Sequence, residues 1–227
     1  YVAWCWKESA TAGFDMVLYT GTGSSHNENH SLSALPDMTI LKRRDTDGNW
    51  TIFHRQGTGV GVGIRLDTDA GKTGSWNWDA NSTTSTFQIN GGAATPINET
   101  DATYIAYLFA TKQGFSKFGT YTGNGNADGA FIYTGFRPAY VLSKITSDAD
   151  DWIITDNKRS PFNPVLIHSE ANQSAAELTT IEVDFLSNGF KWRHTDNQFN
   201  ASGETYIYAA FAEAPLVNSN GVPNNAR

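Results

Sequence analysis

Two stretches of the sequence combine tryptophan with amide, carboxylate or cationic side chains. They are "SWNWDANS" at residues 75–82 and "KWRHTDNQFN" at residues 191–200. A flat aromatic ring covers the C–H face of a sugar, while amides and carboxylates hydrogen-bond the sugar hydroxyl groups. Both stretches therefore predict glycan contacts. The candidate ligand-binding residues are Trp76, Trp78, Asp79, Trp192, Arg193, Asp196, Asn197 and Phe199.

An alternative interpretation assigns the same stretches to the fold. Side chains alternate between the two faces of a strand, so a tryptophan of each stretch would pack in a core. The Asn and Asp residues around it would then form turns. The sequence leaves both interpretations open.

Two other groups of side chains have spacings that metal sites use. His26 and His30 are four residues apart, which puts two imidazoles on one face of a helix, but the surrounding segment is rich in Ser and Asn and lies between predicted strands. Asp45 and Asp47 offer oxygen ligands at alternate positions, as Ca²⁺ prefers, yet the remaining ligands of a calcium loop are missing. Asp-Gly at 47–48 is also what a tight hairpin needs. We predict no cofactor, with Ca²⁺ as the alternative.

Catalytic motifs are missing from the sequence. It contains no Gly-x-Ser-x-Gly elbow, no phosphate-binding glycine loop followed by a helix, and no Cys/His nucleophile arrangement. A glycoside hydrolase needs two carboxyl groups around a cleft, and several carboxylates are available, but their separation cannot be read from the sequence. We therefore predict a protein that is not an enzyme and has no catalytic residues. The carboxylates that glycoside hydrolysis could use, under the alternative of a hydrolase, are Glu170, Glu177, Glu182, Asp184 and Glu204.

Composition restricts the class of protein. Of the 227 residues, 17% are charged and 13% aromatic, and Gly is frequent, which is typical of an all-β protein with many turns. A net charge of −7 with scattered Lys and Arg disfavours nucleic-acid binding. The apolar runs are too short to span a membrane. The single cysteine, Cys5, excludes an intrachain disulfide framework.

An internal repeat organises the chain. "YTGTG" at 19–23 recurs as "YTGNG" at 121–125, an offset of 102 residues. Rare residue types coincide at the same offset, which predicts two copies of a unit of about 100 residues, the size of a small β-sandwich. The coinciding pairs are Pro36 and Pro138, Lys42 and Lys144, Trp50 and Trp152, and the segments 103–110 and 205–212.

The predicted fold class is all-β, with two tandem antiparallel β-sandwich units of jelly-roll or immunoglobulin-like type. The first unit covers residues 1–111, the second covers 112–213, and residues 214–227 form a tail. Strands are predicted at 15–21, 37–43, 85–90 and 103–110 and at the corresponding segments of the second copy. Trp50 and Trp152 are assigned to the cores, and one short helix is expected within 172–182.

The N-terminal segment "YVAWCWK", residues 1–7, aligns with the closing strand of each unit. Alternation puts Val2, Trp4 and Trp6 on one face, which we expect to face a core. The segment is interpreted either as the closing strand of an upstream copy or as the first strand of unit one. With no Met at position 1, the chain is expected to be a piece of a longer protein.

Long motifs resemble the C-terminal repeat region of bacteriophage tail-fibre and virion-associated proteins, especially those of marine phages. The motifs are "GFSKFGTYTGNGNADGAFIYTGFRPAYVLSK" (114–144), "DFLSNGFKWR" (184–193) and "NASGETYIYAAFAEAP" (200–215). Residues 59–80 depart mildly from the family pattern. The resemblance implies a virion appendage that serves assembly or host-surface contact, and it implies no catalytic residues.

The functional expectation is a non-enzymatic structural and adhesive module at the C-terminal end of a phage tail fibre. The expected partners are a host-surface polysaccharide or receptor, an upstream repeat of the same chain, and other copies of the chain in a homotrimer. No nucleic acid and no membrane insertion are expected. The expected location is the virion, after synthesis in the bacterial cytoplasm. The alternatives are a secreted bacterial carbohydrate-binding module and, third, a polysaccharide-degrading tailspike hydrolase.

Overall fold

A computed structural model describes residues 2–59, 61–72, 81–90 and 96–213. Within these ranges the chain is almost entirely β, and every strand pairing between named strands is antiparallel. The all-β prediction is confirmed. The described residues divide into two compact units, one formed by residues 5–111 and the other by residues 112–213 together with 2–4. No helix in the described part of the chain is long and apolar enough to cross a membrane.

The first unit contains a five-stranded sheet and a two-stranded sheet. The strands are β1 (Phe14–Thr20), β2 (His26–Asn29), β3 (Met38–Arg43), β4 (Thr51–His54), β5 (Ile64–Arg65), β6 (Thr86–Ile89) and β7 (Thr103–Phe109). The large sheet has the order β1-β7-β3-β4-β5, and β2 pairs with β6. The predicted strands at 15–21, 37–43, 85–90 and 103–110 are confirmed.

The second unit contains a five-stranded sheet and a three-stranded sheet. Its elements are β8 (Ser116–Thr122), β9 (Phe131–Tyr133), β10 (Pro138–Ile145), β11 (Ile153–Asp156), β12 (His168–Glu170), β13 (Val183–Leu186), β14 (Gly189–Trp192), α1 (Asn197–Asn200) and β15 (Thr205–Ala212). The large sheet has the order β12-β11-β10-β15-β8, and the small sheet has the order β13-β14-β9.

The two large sheets have matching strand orders and registers. Tyr19 lies opposite Tyr104 in the first sheet, and Tyr121 lies opposite Tyr206 in the second. The pairings of β3 with β7 and β4 likewise recur in β10 with β15 and β11 at the sequence offset of 102 residues. The repeated residues therefore hold corresponding places in the two sheets.

Each unit has its own apolar core, to which both of its sheets contribute. In the first unit, Leu41 and Leu108 of the large sheet cluster with Phe87 of the small one. In the second unit, Val141 of the large sheet clusters with Phe185 and Phe190 of the small one. Shared burial of two sheet faces is the arrangement of a β-sandwich.

The repeated Tyr-Thr-Gly motif anchors a strand end in both units. The Tyr19 hydroxyl donates a hydrogen bond to the Ile97 carbonyl at 2.8 Å, and the Tyr121 hydroxyl donates to the Phe199 carbonyl at 2.9 Å. A Cβ at Gly123 would overlap the carbonyl oxygen of Ala201, so only glycine permits this close backbone approach. The motif therefore has a structural role in both copies.

A buried asparagine completes each of these corners. Asn98 and Asn200 are both at most 1% exposed. The side-chain oxygen of Asn98 accepts from the Thr22 amide at 2.8 Å, and that of Asn200 accepts from the Asn124 amide at 3.0 Å. Each side-chain amide also donates to two backbone carbonyls. These bonds fix the loop that follows each Tyr-Thr-Gly motif.

Four local expectations need correction. Residues 2–8 lie in no strand, although Trp4 packs against Tyr140 and Trp6 against Phe109. Residues 172–182 contain no helix, whereas a four-residue helix forms at Asn197–Asn200. Neither Asp47 nor Gly48 adopts a positive φ, so the link from β3 to β4 is a longer loop rather than a tight Asp-Gly turn. The fourth correction concerns Trp50, which is only half-buried and stacks on Tyr107.

Candidate functional site

Two of the predicted glycan-binding residues are core residues. Trp192 and Phe199 are at most 1% exposed, and their rings stack with centroids 4.7 Å apart. Trp192 faces the core because side chains alternate along β14. It therefore lies on the same side of the strand as the core residue Phe190, two positions earlier. Neither ring is available to a ligand, and the prediction for these two residues is corrected.

The polar members of the same stretch have separate places. Asp196 is the N-cap of α1, and its carboxylate accepts from the Gln198 amide at 2.9 Å. Asn197 is exposed, and its backbone carbonyl accepts from the Tyr206 hydroxyl at 2.6 Å. Arg193 lies in a charged surface network, together with Lys191 at the start of the same stretch. The other candidates, Trp76, Trp78 and Asp79, lie outside the described residues.

The weak metal candidates do not converge. His26 and His30 lie at the two ends of an extended segment, where four residues span about 13 Å. Asp45 is paired with the Arg43 guanidinium at 2.7 Å, and Asp47 is exposed. In the described ranges, no group of three or more His, Cys, Asp or Glu side chains could hold a metal ion.

The outer surface of the small sheet in the second unit carries exposed aromatic rings. On β9, Ile132 points into the core, whereas Phe131 and Tyr133 point outward and are 46% and 61% exposed. In register with them on β14 are Lys191, opposite Phe131, and Gly189, opposite Tyr133. We call this surface, formed by the outward residues of β9, β14 and β13, the aromatic face.

Glycine shapes the middle of the aromatic face. A Cβ at Gly189 would overlap the backbone carbonyl of Ile132 and would come within 2.7 Å of the Phe131 ring. The Phe131 ring therefore lies across the strand, over the position that a side chain at 189 would fill. Beyond β13, Asn163 exchanges two hydrogen bonds of 2.9 Å with the backbone of Phe185, and the neighbouring Phe162 is 81% exposed.

An ion-pair network borders the rings. One carboxylate oxygen of Asp128 lies 2.7 Å from both the Lys191 ammonium and the Arg193 guanidinium, and Arg193 also pairs with Asp184 at 2.6 Å. The Lys191 ammonium, helped by Arg193, holds the pKa of Asp128 below its usual value. The hydrogen bonds that the Arg193 guanidinium donates to the Asp184 and Asp128 carboxylates raise the pKa of Arg193. Both shifts favour the charged forms of Asp128 and Arg193.

The aromatic face combines apolar stacking surface with fixed donors and acceptors. Exposed rings on a rigid sheet can cover the C–H face of a sugar, and the charged groups beside them can bond its polar substituents. Phe131, Tyr133 and Lys191 were not among the sequence-based candidates. The signal for them was the alternation in "AFIYTG", where two aromatic residues flank a single inward isoleucine.

The corresponding surface of the first unit is different in character. There Asn27 pairs in register with Gln88, and Asn29 pairs with Thr86. The inward residues keep their apolar character, since Phe87 and Ile89 are fully buried. The outward aromatic residues are thus not required to build this kind of sheet.

The core of the second unit contains an unusual polar pair. His168 and Thr155 lie opposite each other on β12 and β11, and both are 0% exposed. Neither ring nitrogen of His168, nor the Thr155 hydroxyl, has a hydrogen-bond partner among the described residues. The position that corresponds to Thr155 in the first unit is Phe53, a buried aromatic residue. Burial and the nearby Arg159 lower the pKa of His168, against a smaller opposing effect of Asp196.

We expect this histidine to make the second unit sensitive to acid. Because the folded-state pKa lies below the ordinary 6.5, the stability it supports is present above that pH and is lost as the pH falls. The free energy of unfolding from urea titrations between about pH 7 and about pH 5 measures this loss. His168→Leu should flatten the curve relative to the unsubstituted protein, since Leu has no proton to gain.

The comparison between the two curves also separates His168 from the carboxyls of Asp150 and Glu170. Burial raises the pKa of both, so protonation of these groups acts in the opposite direction. Parallel curves for the two proteins would assign the acid response to other groups.

Comparisons with known proteins give one family. No curated protein and no solved structure matches the chain significantly. The model of a family described as Domain of unknown function (DUF7483) matches residues 1–215, which is nearly the whole chain. The chain therefore belongs to the DUF7483 family, a domain of unknown function.

Proposed function

We propose that this chain is a non-enzymatic adhesive module that binds glycans through the aromatic face of its second unit. The observation that carries the proposal is the outward placement of Phe131 and Tyr133 on a sheet surface beside charged side chains. The two rings are two residues apart on one strand, and therefore about 7 Å apart along it. That spacing gives a flat apolar strip on which a sugar chain can lie.

The exposure of these rings favours a binding role over a folding role. Large aromatic side chains stabilise a fold when they are buried, and exposed ones on a sheet surface contribute little to it. The first unit builds the corresponding surface with Asn27, Asn29 and Gln88 instead. Grouped exposed apolar residues on a protein surface typically mark a place where something binds.

We place the module at the C-terminal end of a bacteriophage tail fibre or virion-associated protein. Support comes from the long motifs at 114–144 and 200–215 that resemble that family. In such a position the chain would contact host-surface polysaccharide and assemble with other copies of itself. Light scattering of the purified chain measures whether it forms a homotrimer.

We also propose that the two units arose by duplication of one sandwich. Two observations support this origin. The strand registers match at the offset of 102 residues, and the Tyr19 and Tyr121 hydroxyls make corresponding hydrogen bonds in the two units. Under this proposal the first unit keeps the shared architecture and the second has acquired the ligand-binding surface.

Replacing Phe131 and Tyr133 together with alanine should weaken glycan binding about tenfold or more, because aromatic anchors contribute most of the energy of such contacts. An array of bacterial surface polysaccharides, probed with the purified chain, provides the measurement. The matched control is Leu18→Ala, which removes a side chain of similar exposure, 60%, from the other unit. Binding that survives the double substitution, with the fold intact by circular dichroism, would remove the aromatic face from consideration.

A further inference from the structure

The ion-pair network indicates which class of glycan the aromatic face binds. Resting on the proposed function above, we infer that the ligand is an acidic polysaccharide whose carboxylate or sulfate group is bound by Lys191 and Arg193. In this arrangement the anionic group of the sugar takes the place that the Asp128 carboxylate holds in the unbound protein.

Two cations converge on a single acceptor atom. The Lys191 ammonium and an Arg193 guanidinium nitrogen both lie 2.7 Å from the same oxygen of Asp128. Lys191 and Arg193 are two residues apart at the end of β14 and so project to the same side of the chain. Together they define one anion-binding point, at which a planar guanidinium supplies directed hydrogen bonds and an ammonium supplies a compact charge.

Asp128 is suited to being displaced. It lies on the turn between β8 and β9, and its side chain is 73% exposed. Ion pairs this exposed contribute little to stability, because water and salt screen the charges. Arg193 keeps a second partner in Asp184, which is only 15% exposed, when Asp128 leaves. Among the described residues, Lys191 has no other ion pair, so it is released for the ligand.

The register of the sheet couples this anion-binding point to the aromatic rings. Lys191 lies directly opposite Phe131 on the neighbouring strand. Side chains opposite each other in an antiparallel pair have Cβ atoms about 5 Å apart. The Phe131 ring leans over Gly189, which is two residues, or about 7 Å, from Lys191 along β14. A sugar stacked on that ring therefore reaches the Lys191 ammonium with a substituent at its edge.

The negative net charge of the chain restricts the binding of acidic polysaccharide to the point formed by Lys191 and Arg193. The chain carries a formal charge of −7, which repels polyanions from most of its surface. An acidic polysaccharide would thus be held only where two cations meet. The neutral alternative is that Asp128 itself accepts hydrogen bonds from sugar hydroxyls, and this alternative predicts the opposite effect when Asp128 is neutralised.

The test uses two pairs of probes that differ only in charge. One pair is an oligogalacturonate and its methyl ester, and the other is dextran sulfate and dextran. Isothermal titration calorimetry compares the unsubstituted chain with Asp128→Asn, Lys191→Gln and Phe131→Ala. The matched control is Lys117→Gln, which removes one positive charge from a half-buried position on β8 of the same unit.

We expect at least one acidic probe to bind about tenfold or more tightly than its neutral partner. Lys191→Gln should abolish that preference, Lys117→Gln should preserve it, and Asp128→Asn should strengthen binding because the competing carboxylate is gone. The affinity should fall as NaCl is raised. Preference for oligogalacturonate identifies the anionic group as a carboxylate, and preference for dextran sulfate identifies it as a sulfate.

The inference is overturned if neither acidic probe binds more tightly than its partner, or if Asp128→Asn weakens binding. The proposed function survives that result when Phe131→Ala still abolishes binding of the neutral probes, because the rings then act without the cations. Binding of neutral probes that is insensitive to Phe131→Ala would overturn both.

Discussion

Replacing Trp152 with alanine is expected to lower the free energy of unfolding of the second unit by about 3–5 kcal/mol. The indole is only 1% exposed, so the substitution removes many packing contacts and leaves a cavity. Urea denaturation followed by tryptophan fluorescence and circular dichroism measures the change.

Trp50 is the matched control for this substitution, because it occupies the corresponding position of the first unit. It is half-buried, stacks on Tyr107 and has the Lys42 ammonium 5.7 Å above its ring. Trp50→Ala should therefore cost clearly less than Trp152→Ala, since part of the ring is already in water. Equal losses in the free energy of unfolding would show that the two tryptophans are equally buried in solution. That result would contradict the structure.

Asn200→Ala is expected to cost about 2–4 kcal/mol, because it removes at once the three hydrogen bonds of a buried side chain. The Asn200 side chain accepts from the Asn124 amide at 3.0 Å and donates to the Asn126 and His194 carbonyls at 2.7 and 2.8 Å. Alanine would leave these three partly buried backbone groups without their side-chain partner. Hydrogen exchange measured by mass spectrometry should show lost protection in the loop that follows β8.

The neighbouring Asn197 provides the control for the Asn200 substitution. It is exposed and takes part through its backbone carbonyl, which alanine retains. Asn197→Ala should therefore leave both the stability and the exchange pattern nearly unchanged. Asn98→Ala should reproduce the Asn200 effect in the first unit, since Asn98 makes the corresponding bonds. A loss confined to one of the two units would mean that the two corners are not energetically equivalent.

Local patterns in the sequence were sufficient for the long strands of the large sheets, but not for the short strands β5 and β12. The segments that contain Tyr19 and Tyr121 alternate between buried and exposed residues, and period-two alternation depends only on the geometry of an extended chain. The offset of 102 residues also identified corresponding segments, and these occupy corresponding strands of the two large sheets. Composition alone indicated the all-β class.

The same local reasoning did not predict the burial of side chains whose exposure depends on the neighbouring strands and loops. Trp192 and Phe199 have the residue types of a sugar site, but the face on which each lies depends on which sheet covers β14. Lys144, a strand lysine of a type usually found at the surface, is fully buried, and its ammonium donates to the carbonyls of Ile145 and Asp148 at 3.0 and 3.1 Å. No sequence pattern predicts that these two backbone carbonyls will accept hydrogen bonds from a buried lysine.

The sequence by itself determined most of the long strands, their approximate ends and which segments of the two halves correspond. These depend on residue type and spacing along one segment, where sterics and alternation act locally. Only the tertiary structure decided which aromatic rings are exposed and which cations meet at Asp128. Those properties arise from residues 60 or more positions apart, such as Asp128 and Arg193, that come together when the strands pair.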